Sequence, residues 1–290
     1  MLIEPPPVGT IASVVRTALS EDRAGDDVTT QAVVEEGLVA RGQLVAREAG
    51  VVCGLVVARY VFAMLDEGTA FEAHVGDGDE VEGGTVLASV EGPARAILSG
   101  ERTALNFVQR LSGVATITSR YVEAAKGTDC VILDTRKTTP GLRDLEKYAV
   151  RCGGGANHRR DLAVMGMIKD NHREALARQG KTLAQAVATI RQHAPETPVE
   201  VEVDTLEELR GALDAKPEWI LLDNMTTEQM REAVALVARR ARLEASGGIT
   251  LERVAEIAAT GVDAISSGAL THSAPALDIA LDIDFEDRAG

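Results

Sequence analysis

The sequence predicts an α/β protein in which a mixed α+β segment precedes a series of βα units. Up to about residue 112, short apolar stretches are separated by glycine-containing turns. From about residue 130, short apolar runs alternate with amphipathic segments roughly every 20 to 30 residues, which is typical of parallel strands with covering helices. Either a parallel barrel or an open doubly wound sheet accounts for this alternation.

The first segment should combine helices with antiparallel strands. Its pattern predicts a helix at 12–19, a strand at 38–47 and an apolar segment at 51–64 that becomes helical. Within 71–97, glycines interrupt alternating valines, which indicates hairpins closed by glycine turns. This stretch is similar to half of a biotinyl or lipoyl carrier domain, but residues 60–125 contain no lysine that could be modified.

The second segment should contain six parallel strands. We place them at 131–133, 162–168, 199–203, 219–222, 242–245 and 264–266. Asp204 with Glu207, and Thr226 with Gln229, have the spacing of a capping box. Each pair therefore predicts a helix that begins directly after a strand.

The composition restricts the classes of function. A chain of 290 residues with 45% hydrophobic residues can build a substantial core without disulfides. No run of about 18 apolar residues occurs, and the three cysteines lack metal-ligand spacing, so we expect a soluble, cytoplasmic protein that does not enter a membrane. The net charge of -15 argues against a surface for nucleic acid.

One stretch departs from this acidic character. Residues 136–160 contain seven lysines and arginines against only Asp144 and Glu146. This local excess of positive charge favours small anions as ligands, although a solvated basic face would show the same composition.

Polar residues that follow the predicted strands are candidates for a site. The carboxyl ends of strands in a parallel barrel converge on one mouth, so these residues are expected to lie together. They occur at 134–137, 169–172, 202, 223–224, 246–248 and 266–268. Taken singly, each group could instead be a solubilising loop, a helix cap or a common turn.

The acidic and glycine-containing strand ends suggest two kinds of ligand. Glu200 and Glu202 share one face of an alternating strand, and inside a barrel such carboxylates need a cation or a metal. On an exposed edge strand they would need neither. Glu202 and Asp223 suit Mg²⁺, which takes few protein ligands together with water and substrate oxygens. Backbone N–H groups suited to a phosphate belong to Ser246, Gly247, Gly248, Ser267 and Gly268.

A series of motifs resembles the quinolinate phosphoribosyltransferase family in both content and order. They are GERTALNF from Gly100, LSGVAT from Leu111, DTRKTTPG from Asp134, GGGANHR from Gly153, IKDNH from Ile168, VEVEV from Val199, LDN from Leu222 and SGG from Ser246. The resemblance extends from about residue 10 to residue 284. It is far more specific than a single glycine motif.

The resemblance implies a fold and an assembly. The fold is an N-terminal α/β sandwich at 1–112, completed by 272–290, followed by an incomplete, TIM-like parallel α/β barrel at 113–271. The implied assembly is a homodimer with active sites shared between subunits, or a larger oligomer of dimers.

The resemblance also implies a reaction. Members of the family transfer phosphoribosyl from phosphoribosyl pyrophosphate to quinolinate, with Mg²⁺ as cofactor and loss of CO₂, and so form nicotinate mononucleotide for NAD synthesis. Lys137 would lie between the substrate and pyrophosphate, Glu202 and Asp223 would bind the magnesium complex, and the late glycine loops would bind the 5′-phosphate. The implied quinolinate ligands are Arg102, Thr135, Arg136, His158, Arg159 and Lys169, with Arg47 donated across the dimer.

Three alternatives remain open from the residues. A molybdenum-operon relative or a nicotinate-specific phosphoribosyltransferase would share this architecture. An aldolase-type barrel would use Lys137 or Lys169 to form a Schiff base. A carrier or scaffold without catalytic activity would fit the glycine hairpins.

Overall fold

The computed structural model describes residues 3–285, which form two compact units. Among the described residues, the first unit comprises 3–119, 138–154 and 270–285, and the second comprises 120–137 and 155–269. Residues 1–2 and 286–290, which the sequence assigns to the first domain, lie outside the described residues.

Helices and strands alternate along most of the chain. The helices are α1 (Val8–Glu21), α2 (Val28–Val33), α3 (Leu55–Leu65), α4 (Ala94–Ala124), α5 (Arg143–Cys152), α6 (Asp170–Arg178), α7 (Leu183–His193), α8 (Leu206–Ala215), α9 (Thr227–Val237), α10 (Leu251–Ala258) and α11 (Ala269–His272), with a 3₁₀ turn at Ala24–Asp26. The strands are β1 (Val39–Ala46), β2 (Gly50–Val51), β3 (Ala70–Ala73), β4 (Glu80–Val81), β5 (Val86–Pro93), β6 (Val131–Leu133), β7 (Gly166–Ile168), β8 (Val199–Val203), β9 (Trp219–Asp223), β10 (Arg242–Ser246), β11 (Ala264–Ser266) and β12 (Ile279–Phe285). Within 3–285, no helix is both long and apolar enough to cross a membrane.

The first unit is built on an antiparallel sheet with the strand order β12-β1-β5-β3. The predicted strand at 38–47 corresponds to β1, and the predicted helix at 12–19 lies within α1. The helix expected within 51–64 begins only at Leu55, because Val51 belongs to β2. The glycine-rich stretch does not fold into successive hairpins, since β3 pairs with β5 while β4, between them in sequence, pairs with β2.

The longest helix, α4, was not predicted. It has 31 residues and carries both the GERTALNF and LSGVAT motifs. Leu105, Val108, Leu111 and Ala115 are buried along it at spacings of three and four residues, so one helical face packs into the interior. Its two motifs therefore lie on a helix rather than in loops.

The second unit contains a six-stranded sheet with the order β6-β11-β10-β9-β8-β7. Every pairing in it is parallel. From β7 to β11, neighbours in sequence are neighbours in space, whereas β6 pairs with the last strand, β11. The free edge of β6 is extended by a parallel bridge between Leu133 and Ala156.

The strand predictions for this unit agree closely with the structure, with one exception. The strand expected at 162–168 is confined to β7, because residues 162–165 form bends and Leu162 is exposed. The capping box of Thr226 and Gln229 is present at the start of α9. At α8 the N-cap is Thr205, whose side chain accepts from the Glu208 N–H, so the cap predicted at Asp204 was one residue too early.

A buried ion pair stabilises the first unit. Glu146 of α5 is 0% exposed, and Arg110 of α4 donates to it from Nη2 at 2.9 Å. Glu146 also accepts from Thr139 N and Thr139 Oγ1, at 2.9 and 2.7 Å. Arg110 additionally donates to the carbonyls of Thr271 and Ala274. The pair therefore joins three separate segments of this unit.

We expect Arg110→Ala to lower the free energy of unfolding by about 3 kcal/mol, because it leaves the Glu146 carboxylate buried without its cation. Arg41→Ala is the matched control, since Arg41 forms a largely exposed pair with Glu91 and should cost less than about 1 kcal/mol. Denaturant unfolding measures both. If both variants lost the same free energy of unfolding, the buried Glu146 carboxylate would not depend on Arg110 more than an exposed carboxylate depends on its partner.

Candidate active site

All six strands of the parallel sheet contribute their carboxyl ends to one cavity of about 440 Å³. This convergence favours the incomplete barrel over an open doubly wound sheet, in which ligands bind where the strand order reverses. Ten residues predicted from the sequence line the cavity: Thr135, Arg136, Lys137, His158, Arg159, Lys169, Glu202, Asp223, Ser246 and Gly247.

Two arginines, Arg136 and Arg159, are among the basic residues that line the cavity. Arg159 donates from Nη1 to the Met165 carbonyl at 3.1 Å and lies 3.4 Å from the Met167 sulfur, so backbone and thioether hold it in place. Burial lowers the pKa of Arg159, and the positive charge of Arg136 lowers it further. Two guanidinium groups within electrostatic reach of each other suit a ligand with two negative charges.

The loop that carries His158 and Arg159 is fastened to the end of β6. Asp134 follows β6, is 0% exposed, and accepts from Asn157 Nδ2 at 2.6 Å and from the backbone N–H of His158 at 2.9 Å. Lys137 N donates to Thr135 Oγ1 at 3.0 Å, which closes a tight turn after the same strand.

Glu202 lies against a cation inside the barrel. Its Oε2 atom is 2.6 Å from Lys169 Nζ, and both residues line the cavity. The exposed-edge interpretation of Glu200 and Glu202 is therefore wrong: Glu200 is 0% exposed and Glu202 is largely covered. Because Lys169 forms this ion pair, its amine is not available as the free nucleophile that a Schiff-base enzyme needs.

His158 is held between two buried carboxylates. Its Nε2 atom lies 3.1 Å from Glu200 and 3.2 Å from Glu244. Burial lowers the pKa of His158, but the two carboxylates outweigh it and raise the pKa to about 10. The Arg159 N–H approaches Nδ1 at 2.7 Å, which instead favours a neutral ring with a lone pair there. Both observations place a hydrogen on Nε2.

The same three residues have donor atoms within 4.8 Å of one another, a spacing that could hold a metal ion. A hydrogen on Nε2 is incompatible with metal coordination through that atom, so the geometry supports a hydrogen-bonded cluster. Glu200 Oε1 is buried and has no hydrogen-bond partner among the described residues. Burial raises the pKa of Glu200 to about 7, with the nearby Glu244 charge acting in the same direction and the hydrogen bond from His158 opposing both.

Asp223, at the end of β9, packs against the loop after β10. Asn224 Nδ2 donates to Asp223 Oδ2 at 2.8 Å, and Asn224 N donates to the Ser246 carbonyl at 3.0 Å. Gly247 has a φ of 86°, and a Cβ there would collide with Asn224 and lie 2.7 Å from Asp223 Oδ1. Only glycine allows this close approach of the two loops.

Five predicted site residues do not line the cavity. Gly248 and Ser267 directly follow lining residues and Gly268 is one residue further on, and the buried Ser267 hydroxyl donates to the Ile249 carbonyl at 3.5 Å. Arg47 and Arg102 belong to the first unit. Both are exposed, and Arg47 is paired with Asp282.

Four lining residues had no predicted ligand role: Met167, Leu221, Glu244 and Ser266, of which only Ser266 was among the strand-end candidates. Glu244 sits between apolar residues of a predicted strand, as Glu202 does, so the same alternation could have identified it. Ser266 donates to Ser246 Oγ at 3.1 Å, a contact that joins the ends of β10 and β11. Nothing in the sequence around Met167 or Leu221 distinguishes them from other core residues.

Comparison with known proteins gives consistent results for both parts of the chain. The N-terminal domain profile of quinolinate phosphoribosyl transferase matches residues 27–112, and its C-terminal domain profile matches residues 114–282. A protein of Mycobacterium leprae named nicotinate-nucleotide pyrophosphorylase [carboxylating] is 47% identical over 93% of this chain and 95% of its own length.

Solved structures agree with the sequence matches. The crystal structure of NadC from Streptococcus pyogenes has a TM-score of 0.92 and 40% identity, and the match covers 98% of this chain and 100% of that one. Human nicotinic acid phosphoribosyltransferase has a TM-score of 0.58 at 14% identity, covering 94% of this chain and 73% of that one, which shows a shared fold alone. Because the similarity extends through both domains at high identity, this chain belongs to the quinolinate phosphoribosyltransferase family.

Proposed function

We propose that this protein transfers phosphoribosyl from phosphoribosyl pyrophosphate to quinolinate, releasing pyrophosphate and CO₂ and forming nicotinate mononucleotide. The observation that carries the proposal is the convergence of two ligand subsites in one cavity. Arg136 and Arg159 lie in the same cavity as the carboxylates Glu202 and Asp223. Membership of the family, and the name of the Mycobacterium leprae relative, support the same reaction.

The arginine subsite suits quinolinate because its two carboxylates stand on adjacent ring atoms. Guanidinium groups bind carboxylates through paired N–H donors and offset their mutual repulsion. His158 has both ring nitrogens engaged by protein groups, so we assign it a supporting place beside Arg159 rather than a direct hydrogen bond to substrate. Thr135 and Lys169 complete this wall.

The carboxylate subsite suits a magnesium complex of phosphoribosyl pyrophosphate. Glu202 and Asp223 supply the hard oxygen donors that Mg²⁺ prefers, in a cavity open to water and substrate oxygens. When bound, Mg²⁺ would neutralise part of the pyrophosphate charge. The glycine loops with Ser246, Gly247, Gly248, Ser267 and Gly268 would accept the 5′-phosphate through backbone N–H groups.

The reaction then needs little chemistry from the protein beyond orientation and charge. The pyridine nitrogen attacks the anomeric carbon as the bond to pyrophosphate breaks, and Lys137 stabilises the negative charge of the departing group. The resulting pyridinium accepts the electron pair left on the ring when the adjacent carboxylate departs as CO₂. A proton then adds to that carbon.

The proposal includes a homodimer in the cytoplasm. Arg47 and Arg102 are exposed on the first unit, where their side chains are accessible to a second copy of the chain. Cys53, Cys130 and Cys152 are free thiols, which is compatible with a reducing compartment.

The decisive assay supplies quinolinate, phosphoribosyl pyrophosphate and Mg²⁺ to the purified protein. We expect CO₂ and nicotinate mononucleotide in equal amounts, measured by trapping of labelled CO₂ and by chromatography. Nicotinate in place of quinolinate tests the alternative, a nicotinate-specific or molybdenum-operon relative. Product from nicotinate but not from quinolinate would reject the proposed reaction.

Lys137→Ala should reduce turnover by roughly 100-fold or more while changing quinolinate affinity little, because its charge acts on the departing pyrophosphate. Steady-state kinetics and quinolinate titration by calorimetry measure the two quantities. Lys181→Ala is the control, since Lys181 is exposed and distant in sequence from the strand ends. Weaker quinolinate binding at unchanged turnover would refute this role.

Asp223→Asn should raise the Mg²⁺ concentration needed for half-maximal phosphoribosyl pyrophosphate binding by about tenfold or more, because it removes a charged metal ligand. Calorimetric titration at several Mg²⁺ concentrations measures this shift, with the exposed Asp214→Asn as the matched control. An unchanged Mg²⁺ requirement would exclude Asp223 from the metal site.

A further inference from the structure

Both oxygens of the buried Asp134 carboxylate, which lies beside the cavity, accept hydrogen bonds. It is 0% exposed, it follows β6 directly, and its two oxygens accept from two different groups of one loop. Oδ1 accepts from His158 N at 2.9 Å, and Oδ2 accepts from Asn157 Nδ2 at 2.6 Å. Asp134 itself is not among the residues that line the cavity.

These contacts add a side-chain link between two segments that carry the cavity's arginines. Residues 134–137 continue β6, whereas 156–159 come after α5 and run beside the free edge of β6. Backbone bonds also link them, from Ala156 N to Ile132 O at 2.8 Å and from Asp134 N to Ala156 O at 3.3 Å. Arg136 lies two residues beyond Asp134, and Arg159 lies two residues beyond Asn157.

We propose that Asp134 and Asn157 are positioning residues that set the separation of Arg136 and Arg159, and thereby the affinity for a dianion with two adjacent carboxylates. The inference rests on the proposed function for the identity of that dianion. Two arginines repel each other, so without the link the cationic segments would move apart. A misplacement of about 1 Å in a binding group can cost about 100-fold in rate.

The proposal makes a prediction specific to one ligand. Glu202, Asp223 and Ser246 lie on β8, β9 and β10, whereas the hydrogen bonds of Asp134 to Asn157 and His158 hold the loop beside β6. Loosening the Asp134 link should therefore weaken quinolinate and leave phosphoribosyl pyrophosphate unaffected. A general loss of stability would weaken both.

A polarity swap tests the link. Asp134→Asn alone places two amide groups face to face, and Asn157→Asp alone places two carboxylates face to face. The double variant, Asp134→Asn with Asn157→Asp, restores a donor opposite an acceptor with the same net charge. Asp129→Asn is the matched control, because Asp129 is exposed near the opposite end of β6.

Calorimetry should measure quinolinate binding without the second substrate, and magnesium phosphoribosyl pyrophosphate binding separately. We expect each single variant to bind quinolinate roughly 10- to 100-fold more weakly, with the double variant within about threefold of wild type. Affinity for phosphoribosyl pyrophosphate should change less than about twofold in all of them.

Three results would overturn the inference: unchanged quinolinate affinity in both single variants, equal weakening of both ligands, or no recovery in the double variant. If a single variant fails to fold, recovery of folding without recovery of quinolinate affinity in the double variant also overturns it. Wild-type protein that binds no quinolinate would reject the proposed function together with this inference. If the wild-type protein is active and the single variants bind quinolinate as tightly as it does, the inference alone is rejected.

Discussion

Charge compensation inside the parallel barrel is the constraint on which the site depends. Three carboxylates, Glu200, Glu202 and Glu244, point into a region where an unpaired charge is costly. His158 lies between two of them and Lys169 pairs with the third. Because these partners lie at the strand ends, the interior of the fold and the floor of the cavity form one electrostatic system.

The cavity divides into two sides with opposite electrostatic character. Arg136, Lys137 and Arg159 come from the end of β6 and the loop beside it, whereas Glu202 and Asp223 come from β8 and β9. The proposed reaction would need both environments in one cavity. The arginines lie at the end of β6 and beside it, whereas Glu202 and Asp223 lie on β8 and β9, with Lys169 paired to Glu202 between the two sets of charges.

The sequence predicted some features closely because they depend on local patterns. Alternation and short apolar runs located β6, β8 and β11 to the residue, and the cap at Thr226 follows from contacts within one helical turn. Other features depend on distant partners. Residues 162–165 have the composition of a strand but form bends instead. Helix α4 is longer than the short elements expected, because its apolar face is buried along its length.

By itself the sequence determined the order of βα units, the charged strand ends and the family motifs, since each is a property of residue type and spacing. Only the tertiary structure decided which of these residues share a cavity, because strand order and curvature bring Lys169 to Glu202 and Asn157 to Asp134 across 33 and 23 residues of chain. It likewise revealed Glu244 as the second carboxylate at His158. Hydrogen bonds and ion pairs act over a few ångströms in space, a distance that spacing along the chain does not specify.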